Sequence, residues 1–170
     1  MSPVDLPPTL AAVALGSNLA DPVHQLRRAF TELSAIAGTR IVARSRLYRT
    51  APVGPPQPDY VNAAALLETR LDAVALFDAL LAIEAAHGRE RGERWGPRTL
   101  DLDLLVYGDA VIDEPRLTVP HPQLALRPFV LVPLAEVAAG LVVPGLGRVG
   151  ELCAACPGAG IVPLETDDAD

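Results

Sequence analysis

Two carboxylates stand one residue apart in Leu100-Asp101-Leu102-Asp103-Leu104. Side chains alternate across a strand. An extended segment here therefore points Asp101 and Asp103 to one face and the three leucines to the other. Ionised carboxylates side by side repel unless a cation lies between them. Their hard oxygens suit Mg²⁺, which keeps several waters and binds substrate phosphates at the same time. Two such ions roughly 3.5–4 Å apart can clamp the attacking and leaving oxygens of a phosphoryl transfer. A bare D-x-D also fits a solvated sheet face carrying two acids. The preceding loop favours the chemical reading. Arg89, Arg91, Arg94 and Arg98 fall within ten residues of one another, in a chain of net charge −7. Arginine meets phosphate bidentately, although Glu90 and Glu93 could also pair with some of them on a solvated loop.

Other residues point the same way with less force. Trp95 is the one tryptophan and sits in this polar loop, as either a core plug or a lid on a ligand. His121 stands between two prolines after Arg116-Leu117-Thr118; it could contact phosphate or exchange a proton, or be structural. Tyr60 and Asn62 share a strand face. A ring beside a carboxamide suits a flat heterocycle with a donor–acceptor edge, or ordinary packing. Gly16-Ser17-Asn18 matches no phosphate-binding glycine motif and carries little weight alone. Cys153 and Cys156 form a single C-x-x-C without the further ligands a zinc site needs. They read as two small half-buried residues on a short helix.

These groups need a frame. Residues 1–9 are Pro-rich and read as loose, and residues 10–164 as a single domain with no internal linker. The acidic stretch 165–170 reads as a frayed tail. Leu10 to Leu15 reads as a buried strand. Asp21-Pro22 then reads as an N-cap and first helical proline, opening a helix that Gly38 ends. Ile41 to Tyr48 alternates as a second strand. Ala51 to Asp59, with four prolines, is a stiff loop. Tyr60 to Glu68 is a third strand, and Asp72 caps a second helix closed by Gly88. Thr99 to Tyr107 is a fourth strand, turned at Gly108-Asp109 into a short return strand, Ala110 to Ile112. Pro120 to Ala139 reads as a helical turn and a helix, and Leu141 to Pro144 as a short edge strand. The order β-α-β-β-α-β predicts a ferredoxin-like α+β sandwich, a mainly antiparallel sheet with helices on one face.

Composition narrows the functional classes. The net charge argues against a nucleic-acid footprint. All 14 basic residues are arginine, which excludes lysine chemistry and a Walker-type phosphate lysine. No apolar run reaches the roughly 18 residues of a membrane span. No signal peptide is visible, so a cytoplasmic protein without a membrane partner is expected.

Together the segments resemble the hydroxymethyldihydropterin pyrophosphokinases of folate synthesis. The resemblance runs through A-L-G-S-N-L (14–19), Y-R-T with P-V-G (48–50, 52–54) and Q-P-D-Y-V-N-A-A (57–64). It is most specific in R-W-G-P-R-T-L-D-L-D (94–103) and R-L-T-V-P-H-P (116–122). The segments keep family order and span residues 11 to about 135.

The resemblance implies a ferredoxin-like monomer that moves the diphosphate of ATP onto 6-hydroxymethyl-7,8-dihydropterin, releasing AMP. Asp101 and Asp103 would hold two Mg²⁺ ions. Arg89, Arg91 and Arg98 would meet the ATP phosphates, with Arg91 on a closing loop that Trp95 seals near the pterin. Arg116, Thr118, His121 and Arg127 would line the nucleotide pocket, and Glu84 is retained on that side. Tyr60 and Phe129 would sandwich the pterin ring, while Thr50, Asn62 and the backbone near Val53 read its polar edge. The chain departs from the family pattern at Leu81, where many members carry Gln, and at Ala51, commonly Pro. The Pro-rich and arginine loops each look one residue short. A metal-dependent phosphohydrolase and a non-catalytic pterin- or nucleotide-binding module are the alternatives.

Overall fold

A computed structural model of the chain describes residues 7–51, 55–88, 99–156 and 160–164. Val53, Arg89, Arg91, Arg94, Trp95 and Arg98 lie outside the described residues, as do residues 1–6 and 165–170.

The first strand, β1 (Thr9–Ser17), is buried from Ala11 onward on both faces, which is why its sequence is a continuous apolar run rather than an alternation. Asp21 then caps α1 (Pro22–Ser34). Its side chain accepts from the His24 amide at 3.4 Å, and Pro22 takes a first-turn position where no amide is needed. Helix α1 ends at Ser34, ahead of the expected stop. Gly38, with φ of 66°, instead makes the turn into β2 (Thr39–Arg44).

The predicted second strand is two, β2 and β3 (Tyr48–Thr50), laid end to end along one edge of β4 (Tyr60–Thr69). Ser45 marks the break. Its amide donates to the Ala64 carbonyl, and its Oγ accepts from the Ala64 amide, both at 2.9 Å. The side chain thus completes a ladder rung that the kinked backbone cannot. Helix α2 (Ala73–Ala86) is capped by Asp72, whose Oδ1 accepts from the Ala75 amide at 2.8 Å. It leads towards β5 (Asp101–Tyr107), which pairs with the far side of β1.

The main sheet runs β10 (Val162–Pro163), β3, β4, β1, β5 and is antiparallel throughout, as expected of a ferredoxin-like core. The expected return strand forms as β6 (Ile112–Asp113), but it pairs with β7 (Thr118–Val119) and not with β5. A helical turn, Leu124–Leu126, precedes α3 (Pro128–Ala138). The expected short edge strand, β8 (Val142–Val143), pairs with β9 (Gly147–Arg148) in a separate hairpin. Helix α4 (Val149–Ala154) carries Cys153. The last strand, β10 (Val162–Pro163), extends the main sheet beside β3. Sequence reading missed it, because two residues including a proline carry no strand pattern.

Helices cover both faces of the sheet, where one face was expected. On the first, Leu26, Phe30 and Leu33 of α1 and Leu76, Leu80 and Ile83 of α2 pack on Val13, Leu15, Ala65, Leu67, Leu102 and Leu104. On the second, Val130, Leu131 and Leu134 of α3 pack on Ala12, Ala14, Ala64 and Val106. The small residues of this second face let a helix approach closely. The alanines alone do not look like a core surface, so the second layer was not visible in the sequence.

Candidate functional site

The second sheet face continues past the first turn of α3, and the chemistry-bearing residues gather there. Strand register does this. Gly16 of β1 is the cross-strand neighbour of Asn62 on one side and of Asp101 on the other. One row further, Ala14 lies between Ala64 and Asp103. Asn62, Asp101 and Asp103 therefore share the face that α3 partly covers. Leu102 and Leu104 point into the opposite core, as the alternation required. Both aspartates are half-buried.

Glu84, expected on the nucleotide side, is buried against β5. Its Oε2 accepts the Leu102 amide at 2.7 Å. Because, among the described residues, β5 pairs only with β1 within the main sheet, this contact satisfies a backbone donor on the strand's outer edge. It also fixes the peptide between the two aspartates.

His121 arrives from the other direction. Its amide donates to the Leu105 carbonyl at 2.9 Å, tying the segment after β7 to β5. Its Nδ1 accepts from the Gln123 amide at 3.2 Å. Burial holds the imidazole below its usual range. The nearby Asp103 carboxylate acts against that shift, and the Arg127 guanidinium adds to it. The neutral ring favoured by burial thus carries its proton on Nε2 and is a hydrogen-bond donor there. Asp103 and Arg127 each lie close enough for their charges to act on the His121 ring, so the structure brings both of these expected residues to His121.

Arg127 also contacts Gln123 and lies over the Phe129 ring, 5.7 Å from its centroid. Phe129, in the first turn of α3, is packed against the second core. Tyr60 opens β4 opposite Thr50 of β3. The Thr50 hydroxyl is 2.6 Å from Asn62 Oδ1 and donates to it, and Asn62 Nδ2 reaches the Leu15 carbonyl at 3.4 Å. Both residues are buried, so this carboxamide is locked rather than free to rotate. Thr118 lies exposed on β7. Arg116 pairs with Asp78 and is set over the Phe77 ring at 5.6 Å, both residues of α2. Leu81 is half-buried and Ala51 exposed.

Two residues given little weight in the sequence shape this site. A Cβ on Gly16 would lie 2.8 Å from Asn62 Nδ2, so only glycine leaves the carboxamide its place. Asn18, buried at the end of β1, donates from Nδ2 to Gln57 Oε1 at 2.8 Å and to the Pro58 carbonyl at 2.9 Å. It anchors the end of the Pro-rich loop. No sequence spacing reports either contact, since Asn18 lies 39 and 40 positions from its partners and Gly16 lies further still from Asn62. Gly16→Ala is expected to displace Asn62 and weaken binding of the flat ligand about tenfold or more, with nucleotide affinity retained. Separate titrations of the two ligands check this.

The chemistry of the donor set fits a hard cation. Two half-buried carboxylates on one strand face suit an ion that takes its remaining oxygens from water and phosphate. No group of three or more His, Cys, Asp or Glu side chains suited to a metal occurs among the described residues, so no all-protein metal cage is present there. Cys153 and Cys156 are both free and half-buried, and burial pushes the Cys153 thiol up, away from the reactive thiolate.

The family model for 7,8-dihydro-6-hydroxymethylpterin-pyrophosphokinase (HPPK) matches residues 12–139. The 2-amino-4-hydroxy-6-hydroxymethyldihydropteridine pyrophosphokinase of Pseudomonas aeruginosa is 51% identical over 153 residues, covering 89% of this chain and 94% of the relative. The protein of the same name from Synechocystis is 48% identical over 150 residues, covering 87% and 77%. Among solved structures, wild-type Plasmodium falciparum HPPK-DHPS superposes with a TM-score of 0.68 at 13% identity, which speaks to fold alone. That match covers 87% of this chain and 44% of the larger Plasmodium chain. With the family model matched over most of its length and relatives near half identity, the chain belongs to the HPPK family.

Proposed function

We propose that the sheet face bearing Asn62, Asp101 and Asp103 is where this chain carries out its family's reaction. That reaction is transfer of the diphosphate of ATP to the hydroxyl of 6-hydroxymethyl-7,8-dihydropterin, a step of folate biosynthesis. The observation that carries the reading is the register: Asn62, Gly16 and Asp101 lie side by side, with Asp103 on the next row. An edge-reading carboxamide and a pair of acids thus share one surface. A phosphohydrolase would have no need of that carboxamide, and a non-catalytic pterin- or nucleotide-binding module no need of the acid pair.

In this reading Tyr60 and Phe129 stack on the two faces of the pterin, and Thr50, Asn62 and the backbone at Val53 read its polar edge. Trp95 closes over it. Arg89, Arg91 and Arg98 grip the triphosphate. Arg116, Thr118, His121, Arg127 and Glu84 serve the nucleotide side, with His121 donating from Nε2. Asp101 and Asp103 hold two Mg²⁺ ions, which when bound supply charge to neutralise the triphosphate and acidify the attacking hydroxyl. The protein's own contribution is position and charge. It aligns the hydroxyl with the β-phosphorus and spreads positive charge over the oxygens that become negative. No side chain is assigned as a general base in this reading. The chain works as a cytoplasmic monomer; among its described residues no helix is long and apolar enough to cross a membrane.

Tyr60→Ala tests the pterin half. Loss of one stacking wall should weaken pterin binding about tenfold, from an aromatic contact of about 1 kcal/mol plus lost burial, and leave ATP affinity within about twofold. Fluorescence titration of each ligand alone reads both constants. An equal loss for ATP would remove Tyr60 from the pterin wall.

A further inference from the structure

Val130, Leu131 and Leu134 of α3 pack on a surface made mostly of small side chains, Ala12, Ala14 and Ala64 with Val106. Such short side chains give a helix little to interlock with. Apolar contact, which is non-directional, leaves the position of α3 along the sheet weakly specified. Glu136, near the end of α3, adds a directional contact. Its Oε2 accepts from the Arg46 amide at 3.0 Å, and its Oε1 accepts from Arg46 Nε at 3.3 Å and from the Tyr48 hydroxyl. The Arg46 guanidinium also lies 5.6 Å from the centroid of the Tyr48 ring. The Arg46 amide is available because the pairing of β2 ends at Arg44 and that of β3 begins at Tyr48. The break at Ser45 thus releases a backbone donor, and Glu136 takes it. Hydrogen bonds to a carboxylate are among the strong ones. Burial and the Glu136 carboxylate hold the Tyr48 phenol above its usual range, against the pull of Arg46, so the hydroxyl keeps its proton and donates.

Tyr48 stands where such a tie has a consequence. It is the cross-strand partner of Asn62, and Thr50, two residues along, is the partner of Tyr60. Cross-strand partners and alternate residues share a face, so Tyr48, Thr50, Tyr60 and Asn62 line one surface. On α3, Phe129 and Glu136 lie about two turns apart and so on one side of the helix. We infer that Glu136 is a positioning residue: through Tyr48 and Arg46 its carboxylate ties α3 to β3 and sets the gap between Phe129 and the Tyr60–Asn62 surface. The inference rests on the reading of that gap as the slot for the pterin. The nucleotide side has its own anchor. Arg127, just ahead of α3, is held by Gln123, whose amide donates to His121.

Two variants test this. Tyr48→Phe removes one hydroxyl and keeps the buried ring, and Glu136→Gln changes a side chain that is 28% exposed, so neither threatens the fold. In ligand-free protein carrying ring-¹³C phenylalanine, each should shift the Phe129 signals. Those of Phe30 and Phe77, packed on the first face, should stay in place. In separate titrations each variant should weaken pterin binding about fivefold to tenfold and leave ATP affinity within about twofold. In a Phe129→Ala background the added effect of Tyr48→Phe on pterin binding should fall below about twofold, because the wall it places is gone. Unmoved Phe129 signals, ATP and pterin constants falling together, or a full Tyr48→Phe effect without Phe129 would each overturn the proposal. Pterin affinity unchanged in both variants, while Phe129→Ala weakens it, would reduce Glu136 to helix packing. If the Phe129 signals move but Phe129→Ala itself leaves pterin affinity intact, the tie stands and the failure lies with the reading of the slot.

Discussion

Asp101→Ala and Asp103→Ala should each lower turnover by about three orders of magnitude or more at saturating substrates, with the fold retained. In the proposed site each change would remove one of the two carboxylates that would hold the cation, and the described residues contain no group of three or more His, Cys, Asp or Glu that could hold it instead. A divalent ion bridging phosphate oxygens contributes several kcal/mol of transition-state stabilisation, and about 1.4 kcal/mol is a factor of ten. The cost to the fold should be small. Both side chains are half-buried on the site face, while the strand is anchored by Leu100, Leu102 and Leu104 in the opposite core and by Glu84 on its edge. Initial rates with a circular dichroism melt for each variant check the two halves together. Near-normal turnover in either variant removes that carboxylate from the metal site.

The second large effect is expected at Arg91. Arg91→Ala should lower kcat by about 10²–10⁴ while changing pterin affinity by less than about threefold. A guanidinium that meets the transferring phosphates acts where charge develops, so its loss appears mainly in the chemical step. A residue that only bound ground-state ATP would instead raise KM with kcat preserved. Single-turnover rates beside equilibrium titrations distinguish the two. Equal losses in pterin binding and turnover would assign Arg91 a static binding role.

The sequence carried the path of the chain better than its layers. The alternation around Asp101 and Asp103 sufficed to place them on one face, and the register against Ala14 and Gly16 agrees. The caps at Asp21 and Asp72 located both first-face helices, because a capping side chain is a local signal. What sequence reading missed depends on contacts between distant positions. The break between β2 and β3 hangs on Ser45 reaching Ala64, while the alternation simply runs on through it. The second layer rests on alanines of β1 and β4 that became a helix seat only once paired. At the site, Asn62 was legible as a polar residue on a strand face. Its dependence on Gly16 and Thr50 was not, because cross-strand neighbours follow from register. Glu84 was legible only through resemblance. Its engagement with the Leu102 amide shows how a helix acid also supports the strand bearing the two aspartates.

The bond at which ATP is cleaved distinguishes diphosphate transfer from phosphoryl transfer and hydrolysis. Incubated with Mg²⁺, ATP and 6-hydroxymethyl-7,8-dihydropterin, the protein should form AMP and the pterin diphosphate in equal amounts, resolved by chromatography and ³¹P spectra. Formation of AMP should stop when Mg²⁺ is chelated and fall sharply in Asp101→Ala. Release of ADP or free phosphate in place of AMP would contradict diphosphate transfer at this site.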